Sequence, residues 1–540
     1  MGTRLDFRSR RGLPAWYSLL VLPVCFVAAA VWTRAAGGPF WLWHQLDPDY
    51  FYLLDALNVL NLTTPGHVYH PGTTVEWLGA LALRLADPFA GAETIAGRVL
   101  AEPEAYLRLI GNVFIGFNAL ALAVLGAAAL RAFGTPAPAW LLQTAPFVSM
   151  LMLKNSYHVK PEALLLATAL TLAALALLTL EPGLLGRRRR AFAVAFGAIA
   201  GFGVATKVTA LPVFLLPLFV LGGVSAIALY GAAALAALVL FTLPAAGAYD
   251  VFFSWMATVA QGSGAYGGGG EGLVNWALYP GAVIKLFKRP AFHVVFVLSV
   301  LTLAWALWRR RQGSPLPGAE VRLLAGVVAA QLAHVLLVAK QPSAIYLIPS
   351  LVLIPLALVL VWRLGTVLAV ERGLPKAPGR ALATVLAVLV VAGGLGATRL
   401  TGELAEKRQA GLALDNDRFA ACARVHAYAS SSRSFALLLG DYVTGSRFGP
   451  RLAGLHPAND YWLEHWWDQS RLVFRGWRGP EDMAQTLGRY PCAVLRVSHW
   501  ARIKELLPET LPGLAFDARC STAYETILVR GAGCDGRLRR

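Results

Sequence analysis

Long apolar runs recur along the first 400 residues of the chain, separated by short polar or basic segments. An apolar run of about 20 residues is long enough to cross the hydrocarbon core of a membrane as a helix. The pattern predicts about eleven transmembrane helices. They are placed at about 15–32, 106–130, 137–153, 161–180, 191–206, 211–221, 224–243, 291–308, 321–338, 345–362 and 381–398. We therefore expect a polytopic α-helical membrane protein.

Composition supports a membrane protein and argues against a nucleic-acid-binding one. Hydrophobic residues make up 57% of the chain and charged residues 14%, with a formal net charge of +18. The basic residues concentrate in clusters beside apolar runs, at 4–11, 187–190, 309–311 and 372–380. Such clusters are typical of the cytoplasmic loops of membrane proteins. We therefore expect the basic residues to lie at the surface of the lipid bilayer, and we expect no nucleic-acid partner.

The same clusters predict the orientation of the chain. If the N-terminus is cytoplasmic and the first run is a retained signal anchor, an odd number of spans places every arginine-rich cluster inside. The first loop, residues 35–105, and the C-terminal region then lie on the outer side. We expect a multi-pass protein of a bacterial inner membrane, with residues 1–400 as its transmembrane domain and residues 401–540 as a periplasmic domain.

The C-terminal region alternates strand-like and helix-like segments, which indicates a soluble α/β domain. The strands are predicted at 435–439, 472–474, 493–497 and 525–529, and the helices at 481–487 and 500–507. Four of the five cysteines, Cys422, Cys492, Cys520 and Cys534, lie here, which is compatible with disulfides in an oxidising compartment. The aromatic segment 461–468 predicts a half-buried face or interfacial belt, or alternatively a platform for sugar rings or for an acceptor.

The first outer loop carries two carboxylates one residue apart, Asp47 and Asp49, followed by Tyr50. A carboxylate near the membrane surface can act as a general base on a hydroxyl group or help to hold a divalent cation. The alternative is structural, since Asp47 could cap a helix whose first residue is Pro48.

The loop continues through His67 and His70 to an apolar stretch at 75–85. Either Thr73 or Thr74 could cap this stretch, with Glu76 in the first turn of a helix that lies along the membrane face. The two histidines could bind a metal, donate hydrogen bonds to a phosphate, or serve only as polar loop residues.

Isolated cations form a third group, at the predicted outer ends of the spans. They are Lys154, His158, Lys160, Lys207 and Lys340. Isolated lysines often extend to the membrane interface without a functional role. Ionisable groups in several outer turns also suit an anionic lipid head group such as a phosphate.

Taken in order, these motifs resemble the GT-C superfamily of membrane glycosyltransferases, in its protein O-mannosyltransferase and aminoarabinose transferase branch. Asp47-Pro-Asp49 resembles the acidic motif of the first outer loop, although an adjacent Asp-Glu pair is absent. His70-Pro-Gly72 resembles a His-Pro-Pro element, with glycine in place of the second proline. The segments Lys160-Pro-Glu162, Ala205-Thr-Lys207 and Tyr346-Leu-Ile-Pro349 are similar to later motifs of that branch.

The resemblance implies a GT-C-like fold and an inverting transferase that takes a sugar from a polyprenyl-phosphate-linked donor. The acceptor would be a glycan, a lipid or a protein on the periplasmic side. Asp49 or Asp47 would deprotonate the acceptor, and the five cations would hold the donor phosphate. Tyr50, His67, His70, Glu76 and Tyr346 would line the substrate site. The resemblance requires no cofactor, although the acidic motif is compatible with a divalent cation.

Two other classes of protein fit part of the sequence. A transporter or flippase for lipid-linked glycans would also need cations at the outer face, but such proteins more often show repeats and mid-membrane charges. A membrane scaffold would leave the acidic loop and the lysines without a role.

Overall fold

The computed structural model describes residues 15–313, 316–371, 379–414, 419–427, 429–464, 473–498, 500, 516 and 518–532. Several predicted features lie outside the described residues: the basic clusters at 4–11 and 372–378, the end of the aromatic segment, the helix at 501–507 and Cys534. The helices, in chain order, are α1 Ala15–Ser18, α2 Val21–Gly37, α3 Leu46–Leu60, α4 Thr73–Ala86, α5 Ala92–Ala101, α6 Pro103–Phe133, α7 Pro136–Gln143, α8 Met150–Asn155, α9 Pro161–Leu178, α10 Leu184–Thr206, α11 Leu216–Leu221, α12 Val224–Thr242, α13 Tyr249–Gln261, α14 Tyr279–Phe287, α15 Pro290–Arg311, α16 Gly318–Val338, α17 Ile348–Val352, α18 Ile354–Glu371, α19 Gly379–Ala413, α20 Arg433–Val443, α21 Gly449–Leu455 and α22 Met483–Leu487. The strands are β1 Ala423–Ala427, β2 Asp460–Glu464, β3 Val473–Gly476, β4 Gly479–Pro480, β5 Ala493–Ser498, β6 Ala518–Ser521 and β7 Glu525–Arg530.

The molecule is a polytopic helical membrane protein with a C-terminal α/β domain. Within the described residues, seven helical segments are long and apolar enough to cross a membrane. They are Pro103–Phe133, Pro161–Leu178, Val224–Gln261, Ala291–Arg311, Gly318–Val338, Ala344–Val367 and Ala381–Ala413. Two shorter apolar helical segments are Val21–Gly37 and Val208–Leu221. Each of the predicted apolar runs falls on helical structure.

Two of the predicted spans are broken by proline. The run at 137–153 divides into α7, a 3₁₀ turn at Ala145–Phe147 that contains Pro146, and α8. The run at 211–221 begins within the 3₁₀ segment Val208–Leu215, with Pro212 inside it, before α11. Proline lacks the N–H that the α-helical ladder needs, and its ring crowds the preceding turn.

Three helices, α3, α4 and α5, occupy the first loop, residues 35–105. The predicted caps are wrong, because Gln45 precedes α3 and Gly72 precedes α4, and neither position makes a side-chain cap hydrogen bond. Gly72 adopts a left-handed φ of 79°, a conformation that costs glycine little. The amphipathic helix at 75–85 is confirmed as part of α4, which packs against α3, α6 and α10.

The C-terminal domain begins after α19, which runs without a break through position 400 to Ala413. Its seven strands form one sheet in the order β4-β3-β2-β1-β5-β7-β6. β1 pairs in parallel with both β2 and β5, and the other pairs are antiparallel. Cys422 and Cys492 form a disulfide, which confirms that this region carries one.

The predicted strands at 493–497 and 525–529 are confirmed as β5 and β7, whereas the strand predicted at 435–439 is wrong. That segment lies in α20, where Ser432 caps the helix by accepting a hydrogen bond from the Phe435 amide. A continuous apolar run fits a buried helix as well as a buried strand. Of the aromatic segment, Tyr461 and Trp462 lie in β2 and are both buried, although adjacent strand residues point to opposite faces, so the two faces of the strand are covered at this point.

A buried ion pair fastens this domain to the membrane part. Arg496 donates to the Glu525 carboxylate at 2.7 Å and to the Gly411 and Leu414 carbonyl groups at the end of α19. Glu525 also accepts hydrogen bonds from the Ser431 amide and hydroxyl groups. The Ser431 Oγ in turn accepts from the Trp43 amide, just before α3. This set of hydrogen bonds therefore ties the sheet both to α19 and to the first loop.

We expect Arg496→Met to destabilise the protein strongly, because it leaves the Glu525 charge buried without its partner. Removing one member of a buried ion pair costs about 3–5 kcal/mol. The midpoint of thermal unfolding in detergent should fall by roughly 10 °C. The matched control is Arg399→Met, which removes an arginine 84% exposed in an ion pair with Glu403 and should change the midpoint little. Equal midpoints for the two variants would contradict the role given to Arg496.

Candidate functional site

Asp49, in the first turn of α3, is fully buried. Its Oδ1 accepts a hydrogen bond from the Val159 amide at 2.5 Å, and its Oδ2 lies 2.7 Å from His158 Nδ1. Both partners belong to the turn between α8 and α9. Gly111 of α6 permits this turn to approach, since a Cβ there would lie 2.5 Å from the Tyr157 carbonyl oxygen. The sequence-predicted Asp49 and His158 are thus brought into direct contact.

The His158 ring is enclosed on most sides. It stacks on Tyr157 with centroids 4.5 Å apart and meets the Phe40 ring edge-on at 5.6 Å. Burial lowers the pKa of His158, and the neighbouring Asp49 carboxylate opposes that shift. Its Nε2 is buried and has no hydrogen-bond partner among the described residues.

Lys154 at the end of α8 and Lys160 just before α9 lie near this pair, and neither makes a direct ion pair among the described residues. Lys154 is half-buried, and Lys160 is only 7% exposed. Neither ammonium group makes a hydrogen bond or ion pair within the described part of the chain. Burial and the neighbouring Lys160 lower the pKa of Lys154 to about 8. Uncompensated positive charge in a buried position is costly, and a bound anion would offset that cost.

Lys207, in contrast, has a carboxylate partner. Its Nζ lies 2.6 Å from Glu162 Oε1, with both side chains buried, and 4.2 Å from the centroid of the Tyr346 ring. Lys207 follows α10, and Glu162 is in the first turn of α9, two residues after Lys160. Lys160, from the first group of cations, and Lys207, through its partner Glu162, therefore both lie beside the start of α9. Glu162 was not among the predicted site residues, although the Lys160-Pro-Glu162 motif contains it.

A third group of polar side chains lies on α3, α4 and the loop between them. Tyr52 Oη is 3.1 Å from His70 Nε2, and the His67 and His70 rings meet at 5.0 Å. Burial, with nearby Lys207, lowers the pKa of His67 to about 3 and that of His70 well below its usual range. Both Glu76 carboxylate oxygens are buried without a hydrogen-bond partner among the described residues. Burial and the nearby Asp55 raise the pKa of Glu76 well above its usual range.

Asp55, which sequence reasoning missed, shapes this group. Its carboxylate accepts hydrogen bonds from the Gly66 and His67 amides, both at 2.8 Å, and from the Asn58 side chain. These contacts fix the backbone that carries His67. An aspartate within the apolar part of α3 was the available signal, since such a group needs partners when it is buried.

The other predicted site residues make their direct contacts elsewhere. Tyr50 donates to Glu104 Oε1 at 2.9 Å and so faces α6. Lys340 donates to the Ala260 carbonyl at the end of α13, outside both groups of cations. Asp47 belongs to α3, but its side chain lies outside the described residues. No three His, Cys, Asp or Glu side chains come close enough to hold a metal ion in the described part of the chain.

Comparison with known proteins adds one structural likeness. No family model matches the chain, and no curated protein matches its sequence. Among solved structures, it is similar to the crystal structure of ArnT from Cupriavidus metallidurans bound to undecaprenyl phosphate. The two share 13% identity with a TM-score of 0.49, over 94% of this chain and 97% of that chain. The function of this chain has to be argued from its own residues.

We expect Glu76→Gln to stabilise the protein relative to wild type as pH rises above the ordinary carboxyl pKa. A buried carboxyl group with a raised pKa favours folding while it is neutral, and that advantage is lost as pH rises towards its folded-state pKa. The unfolding free energy of Glu76→Gln minus that of wild type should grow by about 1.4 kcal/mol for each pH unit above about 4.3, until the pH reaches the folded-state pKa of Glu76. Thermal unfolding midpoints measured from about pH 5 to 8 test this. Glu93→Gln is the control, since that side chain is 76% exposed, and a pH-independent difference for Glu76→Gln would refute the assignment.

Proposed function

We propose that the protein is a membrane glycosyltransferase that moves a sugar from a polyprenyl-phosphate-linked donor to an acceptor at the outer face of a bacterial inner membrane. The observation that carries this proposal is the contact between Asp49 and His158 beside the unpaired ammonium groups of Lys154 and Lys160. A basic centre with an anion-binding centre beside it is what a phosphate-leaving substitution requires. The resemblance of the ordered motifs to the GT-C superfamily points the same way.

The reaction is a substitution at the anomeric carbon of the donor sugar. The acceptor hydroxyl loses its proton to the Asp49–His158 pair as its oxygen bonds to the anomeric carbon. The bond between that carbon and the phosphate oxygen breaks, and its electron pair leaves with polyprenyl phosphate. Attack from the face opposite the phosphate inverts the configuration.

Lys154 and Lys160 are proposed to hold the donor phosphate. Charge-assisted hydrogen bonds from ammonium groups are strong in a site of low dielectric constant. They would also stabilise the extra charge that the phosphate gains as the bond breaks. Lys207 has Glu162 as its counter-ion, so it adds less positive charge at this point. We assign to it the neighbouring wall of the donor site, together with Tyr346.

The group on α3 and α4 is proposed to bind the donor sugar. His67, His70 and Glu76 present buried polar atoms that have no partner among the described residues. A neutral carboxyl group and neutral imidazoles can both donate and accept hydrogen bonds, as sugar hydroxyl groups require. This wall adjoins Lys207, because the Val208 amide donates to the His70 carbonyl at 3.0 Å.

The disulfide supports an outer location for the C-terminal domain. The bond between Cys422 and Cys492 would persist in the periplasm but would be reduced in the cytosol. The domain packs α20 against α3, so both would lie on the same side of the membrane. The proposed site would then face the periplasm.

The doubly substituted variant Lys154→Met/Lys160→Met should lose affinity for a polyprenyl phosphate. Each lost hydrogen bond to a charged group is worth about 1.5–3 kcal/mol, so the affinity should fall by at least about tenfold. Binding can be measured by native mass spectrometry of the full chain in nanodiscs. Lys285→Met, at an exposed position of α14, is the matched control and should bind as wild type does.

Turnover distinguishes a transferase from a flippase. Purified protein supplied with a labelled polyprenyl-phosphate sugar and host membranes as the source of acceptor should release polyprenyl phosphate. In proteoliposomes, translocation of the intact donor without cleavage would favour a flippase and refute the proposed function. Failure of wild type to bind polyprenyl phosphate would refute it as well.

A further inference from the structure

The two oxygens of Asp49 are both occupied by the protein itself. Oδ1 accepts from the Val159 amide and Oδ2 faces His158 Nδ1, while the side chain is fully buried. Each oxygen can still accept a further hydrogen bond, but a proton placed on either one would weaken the hydrogen bond that it already accepts from a buried group. Leaving a buried amide or imidazole unsatisfied costs about 1–3 kcal/mol.

The contact with Asp49 also fixes the chemical form of His158. A backbone amide can only donate, so Oδ1 acts as an acceptor, and a carboxylate accepts on both oxygens. His158 Nδ1 is therefore the protonated nitrogen. In the neutral ring this leaves a lone pair on Nε2, the atom without a hydrogen-bond partner among the described residues.

We propose that His158 Nε2 is the atom that removes the acceptor proton, and that Asp49 is a positioning residue that holds the ring. This inference rests on the proposed function. It reassigns His158 from phosphate binding to catalysis and Asp49 from catalysis to orientation. The logic is that of carboxylate–histidine pairs in hydrolases, in which the carboxylate sets the tautomer and stabilises the imidazolium.

In the step itself, the acceptor O–H proton passes to Nε2 while the acceptor oxygen bonds to the anomeric carbon. The phosphate leaves with the electron pair of the broken bond. His158 is then an imidazolium paired with the Asp49 carboxylate, and it returns its proton to water or to the departing phosphate. Atoms and charge balance without a metal or redox partner.

The charged and titratable groups around His158 favour its neutral form. Burial lowers its pKa, and most of the nearby groups are cationic or imidazole. The charged or titratable groups that face it, or that face its neighbours, are Asp49 on α3, Lys154 on α8, Lys160 before α9, His44 before α3, and Glu403 and Lys407 on α19. Turnover should therefore rise with pH along an acid limb whose midpoint lies below about 6.5 and should be lost as His158 becomes protonated.

The experiment compares His158→Gln with Asp49→Asn, using turnover of a polyprenyl-phosphate sugar and binding of polyprenyl phosphate by the full chain. His158→Gln should lower kcat by about 10²–10⁴-fold, abolish the acid limb and leave lipid binding within about twofold of wild type. Asp49→Asn should lower kcat but retain the acid limb of the pH profile. The midpoint of that limb should move to lower pH, because His158 loses its counter-ion. His293→Gln, at an exposed position of α15, should behave as wild type does.

The opposite result would overturn the assignment: an acid limb that persists in His158→Gln and disappears in Asp49→Asn would make Asp49 the base. Nitrogen NMR of ¹⁵N-histidine-labelled wild type tests it without relying on either variant folding. A signal for His158, identified by its absence from His158→Gln, should show Nδ1 protonated and Nε2 bare, and the reverse tautomer would overturn it. Wild type that fails to bind the lipid would instead refute the proposed function.

Discussion

The site depends on how the buried charge of Asp49 is compensated. A carboxylate with no exposure to solvent is tolerated only where donors surround it. The turn between α8 and α9 supplies those donors through the Val159 amide and His158. The same contact therefore joins the first loop, residues 35–105, to the turn between α8 and α9, which lies between Lys154 and the start of α9 and includes Lys160. A change in this one interaction would move the cations and the histidine together.

The helix that carries Asp49 is itself held from two sides. α4 packs on one side of α3, and α20 of the C-terminal domain packs on another. The domain is fastened by the Arg496–Glu525 pair, whose hydrogen bonds reach α19 and, through Ser431, the Trp43 amide. The C-terminal domain thus contacts the helix that carries Asp49 and helps to hold it in place.

Hydropathy was sufficient to predict where the helices lie, because lipid requires long apolar runs. It was not sufficient to predict the breaks at Pro146 and Pro212, or that the apolar run at 435–439 is a helix. That last choice depends on tertiary burial against α3, which periodicity alone does not encode. The site was predictable as a set of residue types, including Asp49, His158 and Lys160. Which of them pair could not be predicted, because pairing depends on the approach of separate helices.

Lys160 and Lys207 illustrate why knowledge of the side-chain pairing matters. Both are buried lysines beside the start of α9, and the sequence treats them alike. The structure separates them, since Lys207 makes a direct ion pair with Glu162, whereas Lys160 makes none among the described residues and interacts with the Glu162 charge only at longer range. A buried charge with a direct partner is compensated within the fold, whereas a buried charge without one leaves a larger desolvation cost. That difference is the reason why the proposed donor phosphate is assigned to Lys154 and Lys160 and not to Lys207.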